Sequence, residues 1–156
     1  TTGADDNASG VAVLLETARL LKTAKPKRSI RFVAFGTEEP PAFGTQNMGS
    51  FQYARRLKDL KIPVHLMISL EMLGYFNPRP GAQLYPPFMH LFYPRHGDFL
   101  TVVANFESRA RLRGFLKAWR AHSKMQLQGA VLPASLRPPV ALDRWCWSVW
   151  DSAAPG

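Results

Sequence analysis

The chain has 156 residues, 46% hydrophobic and 12% aromatic, enough apolar mass for one domain with a core and too much for a disordered segment. Its formal net charge of +9 comes from 20 Lys and Arg against 11 acids, but the basic residues are scattered along the polar faces of predicted helices. No RNP, zinc-finger or helix-turn-helix pattern accompanies them, so nucleic acid is not expected as a partner. No apolar run approaches the roughly 20 residues that a membrane-spanning helix needs, and the single cysteine, Cys146, excludes an internal disulfide and a Cys-rich metal site.

In chain order, Val11, Leu14, Leu15, Ala18 and Leu21 recur at helical spacing and predict a helix from Asn7 to about Ala24, with Asp6 or Asn7 as its N-cap. The stretch SIRFVAF (29–35), β-branched and aromatic, predicts a short buried strand ended by Gly36. The loop GTEEPPAFGTQNMGS follows, carrying two carboxylates and two prolines. A second helix is predicted from about Ser50 to Leu60, with Tyr53, Leu57 and Leu60 on one face, and VHLMISLEML (64–73) predicts another buried strand. Residues 74–98 are rich in Pro, Gly and aromatics and read as a long irregular excursion. FLTVVANF (99–106) is a third strand or the approach to a helix. Residues 107–124 form an amphipathic helix with the stripe Leu112, Phe115, Leu116 and Trp119. The tail, 125–156, has weak periodicity and supports no assignment. The order helix, strand, helix, strand predicts an α/β domain with a central sheet.

Three acidic clusters sit at the edges of these elements: Asp5-Asp6 before the first helix, Glu38-Glu39 after the 29–35 strand, and Glu71 at the end of the strand 64–70. In an open α/β sheet, strand carboxyl ends and helix N-termini gather at one edge, so the three clusters are expected to converge. A divalent cation or a pair of them would neutralise such a group, and an acid left uncoordinated could act as general base. Carboxylates alone favour Mg or Mn over Zn. Each cluster also has a plain reading: a helix cap, a solvated loop pair, an ordinary strand-end acid.

The motifs GADDNASGVAVLLE, FVAFGTEEPPAFGTQNMGSFQYA and MISLEMLGY resemble, in order and spacing, three successive motifs of the M28 family of zinc-dependent peptidases. The resemblance covers roughly residues 1–124. It implies a three-layer mixed sheet flanked by helices, of the zinc-exopeptidase type, here incomplete, with residues 1–156 forming one partial domain. It implies two zinc ions per site and a peptide substrate cleaved at its N-terminal residue. Asp6 looks like the carboxylate bridging both metals, Glu39 and Glu71 like ligands of one zinc each, and Glu38 like the general base. Asp5 looks like a support of the turn, and Asn7, Ser9 and Gly10 look structural. Family members are often exported, and export is the expectation here.

The sequence departs from the family at the histidine ligands. One belongs upstream of GADDN, where this chain has no room for it. The other belongs in a segment resembling SDHWSFW, where LDRWCWSVW aligns Asp143 but puts Arg144 in the histidine's place. His65, His90, His96 and His122 are not expected as ligands. The chain therefore reads as a fragment, with weak zinc affinity and little aminopeptidase activity expected of it alone. A glutaminyl-cyclase-like enzyme of the same fold and a non-catalytic binding or scaffold domain are the alternatives.

Overall fold

The computed structural model describes residues 3–83, 88–132 and 148–150. Three helices, α1 (Gly10–Leu21), α2 (Gly49–Asp59) and α3 (Arg109–His122), accompany four strands, β1 (Met67–Ser69), β2 (Leu100–Ala104), β3 (Leu127–Val131) and β4 (Ser148–Trp150). The strands form one mixed sheet in the order β1-β4-β2-β3. β2 pairs in parallel with β3 on one side and β4 on the other, and β1 closes the edge antiparallel to β4. Helices around a small mixed sheet make this a partial α/β fold of the kind expected from the sequence.

The core lies where α3 crosses β2 and β3. Leu100, Val102 and Ala104 of β2, Leu112 of α3, and Leu127 of β3 are buried together. Phe115, Leu116 and Trp119 pack on that cluster, so the predicted α3 stripe faces the sheet. α3 starts after Ser108, whose amide donates to Asn105 Oδ1 at 2.9 Å. It ends where Trp119 Nε1 reaches Met125 O at 2.7 Å and turns the chain toward β3. The parallel pair β2 and β3 with this helical crossover is the βαβ arrangement that parallel strands require. β3 was not legible as a strand because Gly129 sits in its middle. The glycine is there for packing: a Cβ at 129 would lie 2.6 Å from Leu116 Cδ1.

The first half of the chain is built differently. Among the described residues before Leu100 only Gly10 is buried. On α1, Leu14, Ala18 and Leu21 are half-buried while Val11 and Leu15 are exposed, so the apolar stripe is narrower than its spacing suggests. The strand predicted for 29–35 pairs with no strand among the described residues. Its composition suits a ladder, but a ladder needs a neighbour. The segment instead touches α2: Phe35 stacks near Tyr53 with ring centroids 5.6 Å apart, and Arg31 donates to Tyr53 Oη at 3.2 Å. Ile30, Phe32 and Phe35 are left exposed. β1 covers only three of the residues predicted over 64–73.

The described residues of the excursion 74–98 are irregular, as expected, apart from a short 3-10 turn at Met89–Leu91. An isolated bridge between Asn77 and Gly97 closes it at its base. The Tyr93 hydroxyl donates to Gly129 O at 3.3 Å and ties it to β3. No helix among the described residues is long and apolar enough to cross a membrane.

Candidate metal centre

Asp6 lies in the turn Ala4–Ser9 that leads into α1, where Asp6 and Asn7 leave helical geometry and are joined by a cis peptide. Around Asp6, three polar side chains at alternate positions reach across to the segment that follows β1. Asp5 Oδ1 accepts the Gly74 amide at 2.8 Å. Ser9 Oγ donates to Asp5 O at 2.6 Å and accepts the Leu73 amide at 2.8 Å. Asn7 donates through Nδ2 to Leu70 O at 2.7 Å and accepts the Met72 amide at 3.2 Å. Asn7 Oδ1 also takes the Gly10 amide at 3.2 Å, so of the two predicted caps it is Asn7 that satisfies the first amide of α1. Asp5 thus supports the turn, as expected, but its support extends to a segment 69 residues away.

Glu71 stands in that clasped segment, directly before Met72, a non-glycine residue at φ 46. Glu38 and Glu39 follow Thr37, another left-handed residue, at φ 56. Such conformations cost of order 1–3 kcal/mol each and persist only when neighbours hold them. At Met72 the neighbour is Asn7. At Thr37, the hydroxyl donates to Asn47 O at 3.0 Å across the loop. The loop closes at its base, where the Gly49 amide donates to Gly36 O at 3.2 Å. A Cβ on residue 49 would lie 2.6 Å from that carbonyl, so glycine is needed for the approach.

The four acids share one electrostatic neighbourhood. Glu71 is half-buried, and its carboxyl is pushed up from 4.5 to about 7, first by burial and then by the negative charges of Glu38, Asp6 and Glu39. Two of the predicted clusters therefore act on the carboxyl of the third, although Asp6 and Glu71 lie 65 residues apart in sequence. Asp6, Glu38 and Glu39 are themselves exposed. Among the described residues, no three His, Cys, Asp or Glu side chains stand close enough together to hold a metal ion. The residues fit a divalent cation in charge and in donor type, since hard carboxylate oxygens ligate such ions, but they are not drawn into a finished coordination shell. Arg144, where the resemblance puts a histidine, lies outside the described residues. His96, not expected as a ligand, has its Nδ1 3.0 Å from Pro78 O within the excursion.

The part that sequence reasoning missed is the reach of Asn7 and Ser9. They were expected to shape the turn into α1. They also grip residues 70–73, a reach that no pattern in the sequence marks. Gly10 completes the arrangement: a Cβ there would collide with Asn7 Oδ1 and lie 2.6 Å from Leu70 O.

Comparison with known proteins agrees with the motif reading. The sequence model described as Peptidase family M28 matches residues 1–94. The chain is 52% identical over 108 residues to YfbL of Escherichia coli K12, described as an uncharacterized protein, an alignment covering 69% of this chain and 32% of that one. It is 44% identical over 80 residues to a probable zinc metalloprotease of Pyrenophora tritici-repentis, covering 51% of this chain and 17% of the relative. It is 39% identical over 72 residues to the aminopeptidase YwaD of Bacillus subtilis, covering 46% and 15%. The chain thus spans about a third or less of each of these relatives. No solved structure matches.

Proposed function

The chain belongs to peptidase family M28, and from that premise we propose that it carries part of the catalytic centre of a zinc-dependent exopeptidase that releases N-terminal residues from peptides. The observation that carries the reading is the convergence of Asp6, Glu38 and Glu39 on the half-buried Glu71. Charge-crowded carboxylates beside left-handed backbone positions are costly in a purely structural role and useful beside a cation. Family membership and the name zinc metalloprotease borne by a relative support zinc as that cation. The name aminopeptidase borne by another supports exopeptidase action.

Asp6, Glu39 and Glu71 would hold the metal, with Asp6 shared between two ions if two bind. Zinc, when bound, supplies Lewis acidity and neutralises the acid cluster. Glu38 accepts a proton from the water that attacks the scissile carbonyl and returns it to the departing amine. Its exposed position in the loop after Thr37 gives water and substrate access to it.

The experiment is zinc competition against a chromophoric chelator, run beside leucine p-nitroanilide hydrolysis. D6N, E39Q and E71Q should weaken zinc binding by at least about tenfold, the lower end of what outer-shell losses alone produce. E38Q should bind zinc within about threefold of the parent chain while any turnover falls by about 10²–10⁴. Equal zinc affinity across all four variants would refute the assignment of ligands. A loss of affinity in E38Q as large as in E39Q would refute the division of labour between the two glutamates.

A further inference from the structure

Asn7 makes its two long-range bonds on either side of Glu71. Its Nδ2 donates to the carbonyl of Leu70 and its Oδ1 accepts the amide of Met72, at 2.7 and 3.2 Å. The same side chain is covalently next to Asp6 and, through the Gly10 amide at 3.2 Å, is bonded to the first turn of α1. One amide group therefore connects the backbone of Asp6, the backbone on both sides of Glu71, and the helix behind them. Gly10 lacks the Cβ that would collide with Asn7 Oδ1, so the close approach is built into the sequence at two positions. Ser9 and Asp5 grip the next two amides, those of Leu73 and Gly74.

We propose that Asn7 is a positioning residue for the metal centre, a clasp that sets the separation of Asp6 and Glu71 by bonding to the peptide groups on both sides of Glu71. The proposal rests on the reading of Asp6 and Glu71 as ligands and adds the residue that holds them in register. An amide side chain suits the task because it presents a donor and an acceptor together, matching the carbonyl and amide of an extended backbone. A carboxylate could take the two amides but would set a second acceptor against Leu70 O. A serine could not reach both sides.

The test compares N7A, N7D and S9A in the full chain by Co²⁺ binding, read from its visible absorption, and by amide hydrogen exchange. S9A removes the bonds to Asp5 O and the Leu73 amide while leaving those around Glu71 intact. A clasp acting on the metal centre predicts that N7A weakens Co²⁺ binding about 10–100-fold and S9A by less than about threefold. N7D should also bind more weakly than the parent although it adds a negative charge, which by charge alone would tighten binding. It serves in place of N7A should that variant not fold. Exchange at the Met72 amide should accelerate by at least about tenfold in N7A and not in S9A. Co²⁺ binding by N7D as tight as the parent's, or equal losses in N7A and S9A, would overturn the proposal. If the parent chain binds no Co²⁺, the ligand reading fails by itself. The clasp is then decided by exchange, and a Met72 amide as fast in the parent as in N7A overturns it.

Discussion

Glu71 gives the sharpest test of the acid cluster, because its neighbours make folding depend on pH in a set direction. Its carboxyl titrates near 4.5 in an unfolded chain and near 7 in the fold, with burial the largest cause and Glu38, Asp6 and Glu39 adding to it. Between those values the folded chain keeps a proton that the unfolded chain has released. The native state is favoured by this group at low pH, and that advantage is lost as pH rises from about 4.5 through about 7. At about 1.36 kcal/mol per pH unit the rise corresponds to a ceiling of about 3.4 kcal/mol. Glu71 is only half-buried, so solvent screening brings the expected effect to about 1–2 kcal/mol. Glu71→Gln mimics the protonated acid. In chelator-treated samples the variant should match the parent near pH 4.5 and exceed it by about 1–2 kcal/mol at pH 8, measured by urea unfolding. In thermal melts that is a Tm higher by about 2–8 °C for a chain of this length. Saturating zinc should reverse the order at pH 8, since a bound cation stabilises the parent's carboxylate and offers the glutamine little. The reasoning is refuted if the parent and E71Q lose the same stability between pH 4.5 and pH 8 without metal.

Three further outcomes follow from the geometry. Gly10→Ala should cost about 1–3 kcal/mol, because its new Cβ meets Asn7 Oδ1 and the fixed carbonyl of Leu70, and it should weaken zinc binding as well; unfolding and zinc titration of the same sample check both. Leu112→Ala should cost about 2–5 kcal/mol by chemical denaturation, since Leu112 is 3% exposed at the centre of the α3–sheet core. Amide exchange should be slowest in β2, β3 and the inner face of α3 and faster across 29–35, where no ladder among the described residues protects the amides; the reverse order would show the core to be misplaced.

The helices were legible because an amphipathic stripe is written locally: the predicted helices near 50–60 and 107–124 are α2 and α3, shifted by a residue or two. β2 was legible for a similar reason, a short apolar run bounded by polar residues. Strand pairing is not local. SIRFVAF has the residues of a strand and no described neighbour, whereas LQGAV, with a central glycine, is a strand because β2 and Leu116 require it. The acids were legible as motifs; a shared sheet edge was expected to gather them, but the segment that leads to Glu38 and Glu39 pairs with no described strand, and what the fold shows is their charge acting on Glu71. The clasp was not legible, because a bond from Asn7 to a backbone group 63 residues away leaves no periodic mark in the sequence.

The clasp also explains how an exposed acid cluster can be placed at all. Among the described residues, the buried apolar side chains lie in the second half of the chain, yet Asp6, Glu38 and Glu39 lie in the first, where only Gly10 is buried. Met72 and Leu73 bridge the two halves, because both pack on the core cluster and both donate their amides to the turn, Met72 to Asn7 and Leu73 to Ser9. Position is therefore passed from the core to Met72 and Leu73, from these to Asn7 and Ser9, and through the backbone to Asp6. Glu71 sits next to the first link of that series. Glu38 and Glu39 are held by other means, the Gly36–Gly49 closure and the Thr37 hydroxyl, which tie their loop to its own far end and the start of α2. Two of the four acids are thus referenced to the core by hydrogen bonds, and two to a loop that closes on itself. This division matches the work proposed for them in part: a shared ligand and a terminal ligand gain from a fixed separation, and a proton carrier gains from room to move between water and amine.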